Sequence, residues 1–192
     1  MKRIFALIFA LVMVLSLAGC GAGNGEVKYA EAPEVVIPEK GKITDNVYEN
    51  SFAGIKFNKP ENWIYATEDE LSTLEAAEGV YYDMVAQNPE TGSQVAVMYD
   101  DLLLTVGNIA ITEEKYIESI AEGLSNSGLM VMDEADVEIG GKTYKSVTVY
   151  GEAEDISVTQ QSMARKEGAK MVSIAVVAFN EDSVEDIIEY FE

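Results

Sequence analysis

Two segments of this chain, Gln94–Tyr99 and Met171–Phe179, are apolar at nearly every position instead of at alternate ones. A strand of that kind has no side fit for water, so it must run through the middle of a sheet that is covered on both faces. This demand removes helical bundles and half-exposed meanders. It also calls for covering elements, and the sequence offers three amphipathic stretches.

The first opens at Thr67-Glu68-Asp69-Glu70, a capping box in which a threonine hydroxyl serves the third amide and a glutamate reaches back. Leu71, Leu74 and Ala77 face inward along it, and it stops near Gly79. The second starts at Thr112 with Glu113 and Glu114 in its first turn. Tyr116, Ile117, Ile120, Ala121 and Leu124 share one face, and Gly128 lies just past its end. The third runs over 181–191, with Val184, Ile187, Ile188 and Phe191 inward. Between them are strands and turns: a hairpin over 48–57, Val80–Ala86, a turn at 88–92, and a two-glycine hairpin at Ile139-Gly140-Gly141-Lys142. Strands over 143–151 and 156–165 complete the set, with a turn at Glu167-Gly168 before the last apolar strand. The expected fold class is α+β: an α/β/α sandwich, a mostly antiparallel central sheet with helices on both faces. It occupies residues 46–192 as a single domain without internal repeats. A domain of that size hides roughly 68–70% of its unfolded surface and holds together without staples.

It must do so, because Cys20 is the only cysteine. That cysteine has another use. Lys2 and Arg3 precede a run from Ile4 to Leu17 that is apolar apart from Ser16. The run suits a secretory leader and falls short of the roughly 20 residues of a membrane-spanning helix. It ends in Leu17-Ala18-Gly19-Cys20, which resembles the lipobox of bacterial lipoproteins. The resemblance implies a signal peptide over 1–19 and a diacylglyceryl thioether on Cys20, hence an extracytoplasmic protein lipid-anchored to a cell membrane or outer membrane. Residues 20–45, rich in Gly, Ala, Pro and Glu, then read as lipidated cysteine and flexible tether. As a coil they hold the domain roughly 25–30 Å from the bilayer.

The chain carries 13 Lys and Arg against 34 Asp and Glu, and the leader would remove only cations. Such a surface repels nucleic acid, so the partners expected are the membrane, through the lipid on Cys20, and an unknown protein or small ligand. Histidine is absent altogether, which removes the Ser–His–Asp triad, the usual zinc sets and the commonest general base. No G-x-G-x-x-G, Walker loop or EF-hand pattern appears, so no cofactor or metal is assigned. Asp133-Glu134-Ala135-Asp136 lacks the glycine and the spacing of a calcium loop.

Three groups remain as candidates. Trp63 stacks on a ligand or, more ordinarily for a lone strand tryptophan, packs in the core. Asp100 and Asp101 hold calcium with Glu113 or Glu114, or are a solvated strand end beside helix-start acids. Tyr81, Tyr82, Tyr144 and Tyr150 form an aromatic patch, or pack inward with hydroxyls at the rim.

The pattern Tyr48-x-x-x-Phe52-x-Gly54-Ile55-x-Phe57-x-x-Pro60-x-x-Trp63, with the later helix and two-glycine hairpin, resembles PsbP-like domains over residues 46–192. That resemblance implies a fold whose members work by binding, and it carries no catalytic residue onto this chain. The expected function is therefore a membrane-tethered, non-enzymatic binding or adaptor lipoprotein of the cell envelope. The alternative is a carboxylate-dependent hydrolase of envelope polymers, which needs a carboxyl pair in an apolar cleft.

Overall fold

The central position demanded of the two apolar segments is the one they take. The computed structural model describes residues 38–74, 79–105, 110–153 and 155–192. Its elements are β1 (Lys42–Thr44), β2 (Val47–Asn50), β3 (Ile55–Asn58), β4 (Ile64–Tyr65), α1 (Glu68–Thr73), β5 (Val80–Gln87), β6 (Gln94–Asp101), α2 (Leu102–Thr105), α3 (Glu113–Asn126), β7 (Met130–Ile139), β8 (Lys142–Ala153), β9 (Ile156–Glu167), β10 (Lys170–Phe179) and α4 (Val184–Ile188). The main sheet has seven antiparallel strands in the order β4-β5-β6-β10-β9-β8-β7, so β6 and β10 lie side by side in its middle.

One face of this sheet is covered by α3. Tyr116, Ile117, Ile120, Ala121 and Leu124 are all buried there, against Val147, Val149, Ala164, Met171, Ala175 and Val177. The other face is covered by a second sheet, β1-β2-β3, together with the chain's last residues. Tyr48, Ile55, Phe57, Trp63, Val184, Ile187 and Phe191 pack there on Met84, Val95, Val97, Tyr99, Val172, Ile174 and Val176. Arg165 reinforces the joint: its Nη2 donates to the Ala53 carbonyl at 2.9 Å, and its guanidinium lies 5.3 Å from the Tyr144 ring centre.

The α/β/α sandwich is therefore corrected. The protein is a mostly antiparallel β structure of two sheets, and helices do not cover both faces. The 48–57 hairpin stacks on the main sheet as a layer of its own, because alternate residues Tyr48 and Asn50, then Ile55 and Phe57, turn inward. That leaves little for helices to cover on this side. The expected C-terminal helix shrinks to the five residues of α4, after which Phe191 bridges to Phe57 and Glu192 exchanges backbone hydrogen bonds with Lys56. The capping box of α1 forms as expected; none of its six residues is fully buried, but Leu71, and Leu74 just past the helix, pack against the core as expected, while Ala77 lies outside the described residues. Residues 42–44, read from sequence as tether, pair with β2. The leader, Cys20 and the tether to residue 37 lie outside the described residues.

The sheet has two ends. At one stand Val80, Asp101, Lys170, Glu167, Lys142 and Ile139, and at the other Gln87, Gln94, Val177, Gln160 and Met130.

Candidate functional site

The structure leaves one long element half-partnered. Among the described residues β7 pairs with β8 on one side only, and nearly all ten of its residues are exposed. Its outer backbone N–H and C=O groups form the kind of row to which another strand adds. A bulge at Met132, where the register steps from Val131↔Val149 to Asp133↔Thr148, kinks this edge near its start.

Between β7 and α3 runs an open groove of about 500 Å³, lined by Glu118, Ala121, Glu122, Ser125, Asn126, Val131 and Glu134. It continues into a hollow of about 250 Å³ that shares Glu118 and Glu134 and adds Glu114, Asp136 and Lys145. Glu114, Glu118 and Glu122 recur at helical spacing, so the helix lines the whole length with carboxylates. Glu134 and Asp136 answer from the strand. The effect on a cation is visible in Lys145, whose Nζ lies 2.9 Å from Asp136 and 3.5 Å from Glu114. The hydrogen bond with Asp136, with Glu114 adding to it, holds this ammonium above its ordinary pKa.

The residues singled out from sequence go elsewhere. Trp63 is core, 5% exposed, with its ring 6.3 Å from Phe57 and 6.4 Å from Tyr190. The four tyrosines do not form one patch: Tyr144 is fully buried, Tyr81 is exposed, and Tyr150 donates to Glu152 at 3.0 Å. Asp100 is buried and accepts the Tyr116 hydroxyl, and burial pushes its carboxyl up to about 6. Asp101 pairs with Lys170, Glu113 accepts the Lys166 backbone N–H at 3.1 Å, and Glu114 faces Lys145. Each of the four acids thus has its own protein partner. Among the described residues no three acidic, histidine or cysteine side chains are placed to share a metal ion.

A second buried carboxylate, Asp83, was missed in the sequence. β5 slips register between Tyr82 and Met84, and Asp83 is the extra residue. The bulge lets Asp83 and Met84 both face the small sheet while Tyr82 stays on the α3 side. There Asp83 accepts the Tyr48 hydroxyl at 2.5 Å, Asn50 Nδ2 at 2.8 Å and the Gly41 N–H at 2.9 Å. Burial, then the charge of Asp83, drives the Tyr48 phenol far above its ordinary range. An acid inside the otherwise apolar run Val80–Ala86 was the available signal. Asp83 and Asp100 lie on opposite faces of the sheet, one under Tyr48 and the other under Tyr116. They are not a pair that could share a substrate.

No family model matches the chain, and no curated protein matches it. Among solved structures, a protein of Bacteroides thetaiotaomicron VPI-5482 aligns over 81% of this chain and 48% of its own, at 16% identity and TM-score 0.44. The chain thus spans about half the length of that protein. LpqN, involved in cell envelope biogenesis of Mycobacterium tuberculosis, aligns over 71% of this chain and 76% of its own, at 12% identity and TM-score 0.41. Likeness at this level carries no functional argument. No helix among the described residues is long and apolar enough to cross a membrane.

Proposed function

We propose that this chain is a membrane-tethered, non-enzymatic binding or adaptor lipoprotein of the bacterial cell envelope, anchored through lipid on Cys20, which takes an extended, cationic segment of a protein partner along β7. The observation that carries the reading is an edge of β7 unpaired among the described residues, beside the carboxylate-lined groove between that strand and α3. An added strand would find backbone partners along the edge, and its lysines or arginines would find Glu118, Glu122 and Glu134. The anchor is supported by Leu17-Ala18-Gly19-Cys20 after a charged and apolar leader. Catalysis has less to work with: histidine is absent, and Asp83 and Asp100, the buried carboxylates among the described residues, face apart.

Two measurements test it. Cys20→Ser is expected to release the protein from membranes or leave an uncleaved precursor, because a lasting attachment takes more than one acyl chain. Membrane-bound, processed Cys20→Ser protein would refute the anchor. For the groove, a fluorescent peptide of alternating lysine and valine is titrated into the full chain and into Glu118→Lys/Glu134→Lys. Reversing two charges near contact is expected to weaken binding about tenfold or more at low salt. Unchanged affinity, or equal binding of a glutamate–valine control peptide, would refute the groove.

A further inference from the structure

The two-glycine turn after β7 fixes which of that strand's backbone groups face outward. Gly140 and Gly141 both have positive φ, +59° and +70°, so the turn is of the tight two-residue kind, and Ile139↔Lys142 closes it. The pair that closes such a turn exchanges both backbone hydrogen bonds, and bonded and non-bonded pairs alternate from there along the ladder. Ile139, Val137, Ala135 and Asp133 therefore turn their N–H and C=O groups toward β8. Side chains agree with this phase. The Ala135 carbonyl accepts the Ser146 hydroxyl from β8 at 3.0 Å, so it points that way. Lys145 reaches Asp136 and Thr143 reaches Glu138, cross-strand contacts suited to the closer, non-hydrogen-bonded pairs.

The outward N–H and C=O groups then belong to Glu134, Asp136 and Glu138, and all three are acids. Their side chains lie on the α3 side of the sheet, where Glu134 and Asp136 line the groove and the hollow. Val137 and Ile139 pack on the other side, in the core under the small sheet. The bulge at Met132 breaks the alternation, so the regular run is 133–139. Cations are present but outnumbered. Glu114, Glu118, Glu122, Glu134 and Asp136 line the two spaces, against Lys145 and, paired with Glu118 from the same helix, Lys115.

We infer that the β7 edge selects its partner by register: an extended segment added antiparallel, with Lys or Arg at every second position, whose basic residues are the ones that bond backbone to backbone with Glu134, Asp136 and Glu138. The inference rests on the reading of β7 as a docking edge and adds a sequence rule to it. Antiparallel addition is the commoner and more stable pairing. Residues opposite one another in such a pair point to the same face with Cα atoms about 5.5 Å apart, so each basic side chain meets an acid. The residues between them lie opposite Ala135 and Val137, where β-branched apolar side chains suit the strand. The same row turns away a second copy of this chain. Two β7 edges laid antiparallel would bring acid opposite acid in every overlapping register, because outward residues pair only with outward residues.

Backbone methylation of a peptide reads this register, since an N-methyl group removes a donor and no charge. The full chain is titrated at low salt with fluorescent, end-capped Lys-Val-Lys-Val-Lys and with two methylated forms of it. Methyl groups on the lysine backbone nitrogens should weaken binding about tenfold or more, because those N–H groups face β7. Methyl groups on the valine nitrogens point to water and should leave the affinity within about threefold. Equal effects of the two forms, or a greater loss from the valine methyls, overturn the register. If Glu118→Lys/Glu134→Lys still loses the unmethylated peptide in that case, the cationic groove stands and only the register falls. An unmethylated peptide that does not bind the unaltered chain overturns the docking reading and this inference together.

Discussion

Asp83→Ala removes the acceptor of three hydrogen bonds at once, and the structure says how unequally their donors will suffer. Gly41 is half-buried, so its N–H regains water. Asn50 Nδ2 keeps a second acceptor, the Glu39 carbonyl at 3.0 Å. The Tyr48 side chain is fully buried, and its hydroxyl loses its carboxylate acceptor, keeping only Asn50 and Tyr99 as polar neighbours in an otherwise apolar layer. An orphaned buried donor costs about 1–3 kcal/mol, and a lost bond to a carboxylate about 1.5–3 kcal/mol. Relief from burying the carboxylate itself offsets part of this. The expected loss is about 3 kcal/mol. Tyr48→Phe alone should cost about 1–2 kcal/mol, and in the Asp83→Ala background it should cost about nothing, since the hydroxyl no longer serves. Urea unfolding followed by Trp63 fluorescence reads both, because the single tryptophan sits in the same buried layer. A loss below about 1 kcal/mol for Asp83→Ala, or additive effects in the double variant, would refute the account of Asp83 as the acceptor that Tyr48 depends on.

Two further outcomes follow from the same structure. Asp100 has an ordinary value of 3.8 and is pushed up to about 6, so the folded state holds its proton more tightly than the unfolded chain. Its burial therefore costs nothing below about pH 4, and the cost grows to the order of 3 kcal/mol as pH rises past 6. Asp100→Asn should flatten the stability profile between those limits and raise stability at pH 7, as measured by thermal unfolding across pH; a parallel profile would contradict it. At Gly140, φ is +59° and an added Cβ would fall 2.3 Å from the Gly54 carbonyl oxygen. Gly140→Ala should cost about 2 kcal/mol or more, where Gly141→Ala, with open space at its Cβ, should cost about 1 kcal/mol; equal losses in urea unfolding would show that the close approach does not matter.

Periodicity made some of this architecture legible. The inward face of α3 was readable because a helix sampling one buried side leaves a 3.6-residue signature, and the two-glycine turn because positive φ selects glycine. The Asp83 bulge was not, since a strand buried on both faces has no alternation from which a slip could be noticed. Nor was the second sheet: a hairpin that extends a sheet and one that stacks on it show the same alternation, and only tertiary contact decides. The apolar spacing of 184–191 was real, yet Phe191 reaches the core from extended chain instead of from a helix. The α3–β7 groove was hidden for a related reason. Glu118 and Glu134 are ordinary surface acids until the fold lays one element beside the other.

The place of β10 also governs the order in which this chain can assemble. β5 and β6 form one hairpin, and β7 to β9 form a meander, each from neighbours in sequence. The two pieces do not touch edge to edge, because β10, the last of these strands in the chain, fills the slot between β6 and β9. Until residues 170–179 arrive, both pieces present a sticky, apolar edge to any other unpaired chain. Closure by so late a strand couples residues far apart in sequence, Asp101 with Lys170 and Gln94 with Val177. It makes folding slow and nearly all-or-none. A nascent or truncated chain ending before Lys170 would be prone to aggregate instead of resting as a smaller folded unit.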